Sequence, residues 1–232
     1  MSHRSPRMRH ASARPTSRAH WTSTFERISE GKRRRVLDSA KKAFARHGYA
    51  GANVNVVAKE AGISVGSLYQ YFQTKENLFL TLIEESHGTL TTVIDDILAR
   101  LPGFFDRVEA LLRAAVDWSR KDPDLLNLYI ACTTQELAPL AAKLSGRIES
   151  VAAERYRQMV AEAKSRGEID PGVSDGVAAF CLDNLFLVVQ FSFGSAYYRE
   201  RLGLFLGSKT ADDAEAVIRG VIGFIRQALR KP

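Results

Sequence analysis

Cysteine is scarce in this chain of 232 residues, which contains only Cys132 and Cys181. The two cysteines form no CxxC pair and have no histidine at zinc-ligand spacing, so the sequence offers neither a disulfide framework nor a metal site. Both are expected to be buried, reduced thiols, as is usual in the cytoplasm. The five histidines are scattered, and the sequence predicts no metal ion and no cofactor: His3, His10, His20, His47 and His87.

Motifs of the common enzyme classes are also missing. No GxSxG, HExxH, P-loop or GxGxxG pattern occurs, so no catalytic residue is predicted. No stretch alternates apolar and polar residues as a strand does, and the expected fold class is all-α. The N-terminal residues contain no apolar core of a secretory signal.

One long apolar run stands out, residues 177–194 (VAAFCLDNLFLVVQFSFG). Its length is close to that of a membrane-spanning helix. Asp183, Asn184 and Gln190 lie within it, and basic flanks are missing close to its ends. These features favour a helix that is covered on all sides by protein, and no membrane contact is expected.

The clearest positive signal is the segment 54–78 (VNVVAKEAGISVGSLYQYFQTKENL). It reads as two short amphipathic helices joined by a turn at 61–64. Gly62 can adopt the left-handed conformation that ends the first helix. Ser64 is a favoured N-cap for the second, which is predicted over 65–72. This is the layout of a helix-turn-helix unit whose second helix enters the major groove of DNA.

The same run, with its YxYFxxK ending, resembles the N-terminal domain of the TetR family of bacterial transcriptional regulators. The resemblance covers about residues 33–82. It implies a three-helix DNA-binding domain at 29–78 and a helical domain at 79–232 that binds an effector and dimerises. The expected partners are double-stranded DNA, an unidentified small molecule and a second copy of the chain.

The resemblance also implies which residues meet DNA. Phosphates would be contacted by Asn53, Ser64, Gln70, Tyr71 and Lys75. Base edges would lie nearest Val65, Gly66, Ser67 and Tyr69. The family often has Lys or Arg where Val65 stands, and valine can touch a thymine methyl but cannot hydrogen-bond a guanine, so the site is expected to be read partly by shape.

Three of these residues have a plainer interpretation. Tyr69 and Tyr71 could be core aromatics with wet hydroxyls, and Lys75 could be an ordinary solvated lysine. A cation in the first turn of a helix opposes the helix dipole, and a phosphate would compensate for this at Lys75.

Positive charge is concentrated at the N-terminus. Residues 1–35 hold ten Lys or Arg and two acids, a net charge of +8, so the rest of the chain nets −1. Residues 1–28 show no apolar periodicity and are expected to form a disordered basic arm. Two interpretations stay open: a solvated tail, or an arm that enters the minor groove beside the helix-turn-helix.

Two helices near the C-terminus carry the predicted dimer interface. The resemblance implies that the apolar helix at 177–194 pairs with the last helix, which is expected to begin at a Thr210-x-x-Asp213 capping pattern. Packing within one subunit is the alternative for the candidate interface residues, which are Leu187, Phe191, Val217, Val221 and Phe224.

Asp183 is the unusual residue of the apolar helix. A carboxylate there is costly unless it is paired, for example with Arg113, or faces a cationic or hydroxyl-bearing ligand. Candidates for an effector site, each of which could equally be a core residue, are Trp118, Tyr129, Gln135, Phe180, Asp183, Asn184 and Gln190.

Three functions are therefore compared. The first is a dimeric repressor that a small molecule releases from a palindromic operator. The second is a DNA-binding activator, or a regulator without a small ligand that a protein partner controls, and a filled core would favour it. A helical enzyme is the least supported.

Overall fold

The structure, a computed structural model, describes the backbone of residues 20–132 and 138–230 and their side chains except those of 86–87, 132, 138–139 and 141–149. Every regular element among these residues is a helix, as the sequence predicts. The elements in chain order are α1 (Ser23–Arg27), α2 (Glu30–Gly51), α3 (Val54–Ala61), α4 (Val65–Phe72), α5 (Lys75–Arg100), α6 (Phe104–Lys121), α7 (Pro123–Cys132), α8 (Ala138–Ser165), α9 (Asp175–Gly194), α10 (Ala196–Leu206), α11 (Ser208–Asp212) and α12 (Ala214–Ala228).

The helix-turn-helix forms as its residues dictate. Gly62 follows α3 in the left-handed conformation, with φ 69° and ψ 38°. The Ser64 hydroxyl accepts a hydrogen bond of 3.0 Å from the Ser67 amide and caps α4. Leu68 and Phe72 face inward from α4 and are buried. The predicted bounds of α4 and the conformation of the turn are confirmed.

A short helix precedes this unit where disorder was expected. The Phe25 side chain in α1 is 2% exposed, and its ring centroid lies 4.6 Å from that of Phe72 and 5.7 Å from that of Tyr71. The Thr22 amide and hydroxyl donate to the carbonyls of Tyr71 and Gln70, at 2.9 and 2.8 Å. The prediction of a disordered arm is therefore wrong for residues 20–28. Residues 1–19 lie outside the described residues, and both interpretations of that part of the arm stay predictions.

Two apolar cores form in the protein. One lies under the helix-turn-helix, and the second core lies between α6, α8, α9, α12 and the end of α5. Arg107 holds one corner of it. Its guanidinium donates to the carbonyls of Leu98 and Leu101 and pairs with Glu162 at 2.8 Å, so the last turn of α5 is tied to α8. The hydrogen bond from Arg107 lowers the pKa of Glu162 below its usual value. This corner is fixed by ionic contacts as well as by apolar packing.

The two parts of the molecule share a core. Leu125 and Leu128 of α7 are buried in the same cluster as the helix-turn-helix residues. Lys41 of α2 donates to Asp122, at the start of α7, at 2.6 Å. Thus α7 packs directly on α2, and the expected domain boundary after residue 78 is crossed by a continuous apolar contact.

Three expectations for the C-terminal half are wrong. The sequence around the apolar run predicts one helix from 173 to about 201, but α9 ends at Gly194 and α10 begins two residues later. The last helix is capped by Asp213, whose carboxylate accepts from the Ala216 amide at 3.1 Å, while Thr210 lies inside α11. Cys181 is exposed, because it lies on the outer side of α9. The side chain of Cys132 is outside the described part of the chain.

Gly194, the last residue of α9, lies where the helix passes close to its neighbours. A Cβ at this position would overlap Leu126 and lie 3.2 Å from both the Cβ and the carbonyl oxygen of Ser119. We expect Gly194→Ala to destabilise the protein by about 1–3 kcal/mol, as overpacking does. Gly88, in the middle of α5, has open space around it, and Gly88→Ala is the matched control that should stabilise by up to about 1 kcal/mol. Urea unfolding of both variants measures the difference, and equal shifts would contradict the close packing at Gly194.

Candidate DNA-binding surface and effector cavity

The outer face of α4 forms a candidate surface for DNA. Gly66, Tyr69 and Gln70 are exposed, and Ser67 and Val65 are half-buried. The Tyr69 side chain is 48% exposed, which excludes the interpretation of this residue as a core aromatic. The residues expected nearest the base edges therefore share the accessible side of one helix. Their contacts with bases remain a prediction.

Two polar caps flank this face. The Asn53 carboxamide accepts from the Asn55 amide at 2.9 Å and caps α3. The hydroxyls of Ser64 and Ser67 lie 2.9 Å apart at the start of α4. Free amides at a helix N-terminus favour an anion such as a phosphate. The two capped helix starts are therefore candidate phosphate contacts.

The Tyr71 side chain is buried in the core under the helix-turn-helix. Its side chain is 4% exposed and packs against Phe25 and Phe72. The Lys32 ammonium lies 5.7 Å from the centroid of the Tyr71 ring. The ring is a core aromatic, so a phosphate contact at this position would have to come from the hydroxyl. Sequence reasoning missed Lys32, because only the fold brings it beside the ring.

Lys75 has partners within the protein. Its ammonium donates to the Ala50 carbonyl at 2.9 Å and lies 5.1 Å from the centroid of the Tyr49 ring. Partial burial lowers the pKa of Lys75. The carbonyl and the ring compensate for a cation in the first turn of α5, so the argument that a phosphate is needed there is wrong. Lys75 remains a candidate phosphate contact only through the implied family pattern.

A cavity lies between α5, α6, α7, α8 and α9. Its empty volume is about 890 Å³, open mouth included, and the centres of water molecules can occupy about 90 Å³ of it. That space holds several waters or part of an apolar ligand. The described side chains that line it are mostly apolar: Ile83, Leu90, Val93, Ile94, Leu111, Ala114, Ala115, Trp118, Leu125, Tyr129, Ala152, Tyr156, Asp183, Phe186, Leu187 and Gln190.

The cavity collects four of the seven predicted ligand residues, namely Trp118, Tyr129, Asp183 and Gln190. Two others face away from it. The Phe180 side chain is 68% exposed, and the exposed Asn184 carboxamide donates to the Phe180 carbonyl at 2.8 Å. Neither residue lines this cavity. The sequence did not indicate this, because an apolar helix gives no indication of which side faces inward, and the role of both residues in ligand binding stays a prediction. Gln135 lies outside the described residues.

The structure also corrects the expected partner of Asp183 and adds cavity residues that the sequence did not indicate. Arg113 pairs with Glu109 at 2.8 Å and with Glu215, so it is not the partner proposed for Asp183. The apolar cavity walls contributed by α5 and α8, such as Ile94 and Tyr156, were missed. Their helical spacing is the same whether they line a cavity or fill a core, so no sequence signal distinguishes the two.

The outer side of α9 carries an apolar stripe. Val177, Phe180 and Val188 are exposed there, and Phe224 of α12 is 63% exposed. The expected interface residues behave differently: Leu187 lines the cavity, Phe191 and Val217 are buried within the subunit, Val221 packs against the second core, and only Phe224 is strongly exposed. The stripe is the surface of α9 that one subunit leaves uncovered.

Two findings bear on alternative functions. Helix α9 is long and apolar enough to cross a membrane, with a mean hydropathy of 1.6, but half of the residues concerned are buried inside the protein. No group of three or more His, Cys, Asp or Glu in the described ranges could hold a metal ion.

Known proteins were compared with this chain. A family model described as bacterial regulatory proteins, tetR family, matches residues 36–82. The transcriptional repressor AcnR of Corynebacterium diphtheriae is 38% identical over 63 residues, which are 27% of this chain and 33% of that protein. The repressor SCO4008 of Streptomyces coelicolor is 29% identical over 170 residues, 72% of this chain and 79% of that protein. The chain thus spans about a third of the length of the first relative and most of the second.

Among solved structures, the regulator FadR of Bacillus subtilis in complex with stearoyl-CoA superposes with a TM-score of 0.68. The alignment covers 85% of this chain and 99% of that one at 16% identity. This likeness shows that the helical fold is shared over most of the chain.

Proposed function

The chain belongs to the tetR family of bacterial regulatory proteins, and on that premise we propose that it is a dimeric transcriptional repressor that a small molecule releases from its operator. The observation that carries the proposal is the combination of an exposed recognition helix with a lined cavity that touches the core of the DNA-binding unit. The named repressors among its relatives support the same direction of control. No enzymatic activity is proposed, and the site of action is the cytoplasm, where the DNA is.

DNA recognition is assigned to the outer face of α4. Gly66 lets the backbone approach the groove, Tyr69 extends from the helix, and Gln70 supplies an amide that can pair with an adenine or a phosphate. The capped starts of α3 and α4 hold the adjoining phosphates. The half-buried Val65 offers only apolar contact.

Dimerisation is assigned to the stripe on α9 together with α12. One protomer offers one recognition helix, and a two-fold pair of such helices reads two half-sites of a palindrome. Val177, Phe180, Val188 and Phe224 give this surface the apolar character of an interface core. A second copy covers the stripe that one subunit leaves exposed.

Release by a ligand requires that the cavity and the DNA-binding unit share atoms that move together. Ile83 of α5 and Leu125 of α7 both line the cavity and belong to the core of the helix-turn-helix unit. A ligand that displaces either side chain therefore shifts the packing of α5 and α7 against α2. Coupling follows if the ligand prefers the arrangement in which the two recognition helices miss their half-sites. The open cavity favours this mechanism over a ligand-independent regulator with a filled core.

The test is fluorescence anisotropy with the DNA upstream of the protein's own gene and with scrambled DNA of the same composition, at near-physiological salt. We expect a preference of about a thousandfold or more for the native segment. Gln70→Ala distinguishes the role of this amide: loss of preference marks base reading, and uniform weakening marks a phosphate contact. Equal, weak binding of both DNAs over a set of intergenic segments would contradict the proposal.

A further inference from the structure

We propose that the effector is an apolar molecule with an uncharged polar group at one end and a cationic or hydrogen-bond-donating group at the other, recognised by Gln190 and Asp183. The inference rests on the proposed function, since it names the ligand class of the same cavity. Three features carry it: an amide that makes no side-chain hydrogen bond to a described residue, the sign of the charge among the described wall residues, and the spacing of the two polar residues.

Gln190 is the first feature. Its side chain is 7% exposed and lines the cavity. It makes no side-chain hydrogen bond to any described residue, yet no buried side-chain nitrogen or oxygen in the described part of the chain lacks a partner. The amide of Gln190 therefore reaches open space, and the open space beside it is the cavity. An apolar ligand group that displaces water from this amide would leave it unpaired, which is costly, so a ligand group that donates to or accepts from it is favoured there.

The charge of the walls is the second feature. Asp183 is the only ionisable acid or base among the described cavity residues apart from the tyrosines, and Lys, Arg and His do not occur among them. Asp183 also lines the adjoining surface groove, which contains Arg157 and Phe180. It therefore lies between the cavity and the solvent. Asp183 has an interaction within the protein, so a ligand group would replace or share that contact. An anionic head at this position would be repelled by the carboxylate in a poorly solvated site.

The third feature is distance. Asp183 and Gln190 are seven residues apart on one face of α9, which is two helical turns or about 10 Å along the axis. Between them, Phe186 and Leu187 present only apolar surface. A ligand that satisfies both ends has an apolar body of about this length. Fatty acids, whose carboxylate would face Asp183, fit poorly.

Trp118 provides a direct reporter of occupancy. It lines the cavity, and the chain contains only one other tryptophan, Trp21 in the N-terminal segment. In the full-length Trp21→Phe protein, the fluorescence of Trp118 alone reports binding, and a thermal shift is the second measurement. The probes are four molecules with the same eight-carbon chain: 8-amino-1-octanol, octylamine, 1-octanol and octanoate.

We expect 8-amino-1-octanol to bind most tightly, followed by octylamine and then by octanol, with octanoate binding least tightly. Asp183→Asn should remove the advantage of octylamine over octanol, a change of about tenfold for a lost charge-assisted hydrogen bond. Gln190→Leu should remove the advantage of the amino alcohol over octylamine. Asp117→Asn and Gln227→Leu, at exposed positions of α6 and α12, are the matched controls and should change neither ratio.

The inference is overturned if octanoate binds as well as octylamine, if the two cavity variants behave like their controls, or if none of the probes binds up to its solubility limit. These outcomes are separate from the fate of the proposed function. Sequence-specific DNA binding without binding of the probes would leave a repressor with a different ligand. Binding of the probes without a preference for any DNA would leave the ligand class intact and remove the repressor.

Discussion

The double substitution Val188→Glu, Phe224→Glu is expected to leave a folded monomer that has lost most of its affinity for operator DNA. Both side chains are about half exposed or more in one subunit, at 48% and 63%, so a carboxylate there costs the isolated subunit little. In a dimer that covers the α9 stripe, four new carboxylates would be buried without partners, which strongly disfavours association. A monomer reads one half-site, and we expect its affinity to fall by about a thousandfold, towards that of non-specific binding.

Sedimentation equilibrium measures the loss of the dimer, and anisotropy on operator DNA measures the loss of affinity. Ala161→Glu is the control, because it adds a carboxylate at an exposed position of α8 outside the stripe. We expect it to remain a dimer with unchanged affinity. A double variant that still sediments as a dimer would refute the assignment of the interface to α9 and α12, while the recognition helix could still be correct.

Phe25→Ala is expected to destabilise the protein by about 3–5 kcal/mol, the usual cost of removing a fully buried phenylalanine. The ring fills the space between Tyr71 and Phe72 under the last turn of α4, so its loss should also weaken specific DNA binding. Urea unfolding measures the free energy. Phe205→Ala is the matched control, because the Phe205 side chain is 74% exposed, and its effect should stay within about 0.5 kcal/mol.

A loss no larger for Phe25→Ala than for Phe205→Ala would mean that residues 20–28 do not belong to the folded domain. Deletion of residues 2–19 then addresses the rest of the arm, because it removes five arginines and keeps Phe25. A flatter dependence of DNA affinity on salt in the deletion variant would indicate phosphate or groove contacts by the arm. An unchanged slope would indicate a solvated tail.

Local rules were sufficient for the helix-turn-helix. The left-handed Gly62, the Ser64 cap and the period of the apolar residues depend on neighbours within four positions, and the structure has α4 over the predicted residues. The bounds of α5 and α6 also follow from local signals, because Thr74 is a favoured N-cap before α5, and Pro102-Gly103 and Asp122-Pro123 lie where the two helices end. These features are set by backbone conformation and capping, which the sequence carries directly.

Contacts between residues far apart in the sequence could not be predicted from local patterns. Phe25 stands alone in a basic, aperiodic stretch, and its burial depends on a pocket formed by Tyr71 and Phe72, more than forty residues away. Lys75 likewise finds its carbonyl and ring partners at the end of α2, about 25 residues earlier in the chain. The partners of both residues lie far away in the sequence. Local patterns therefore predicted that Phe25 lies in a disordered arm and that Lys75 needs a phosphate as its partner.

By itself, then, the sequence determined that the chain is all-helical, where the helix-turn-helix lies, and which helix is offered to DNA. Only the tertiary structure decided which side of α9 lines a cavity and which side is left for a partner, because a helix that is apolar all round has no preferred face. It also decided that Gln190 is turned inward while Asn184 is turned outward. The direction of a side chain on such a helix is set by what packs against it, and that information lies in the other helices.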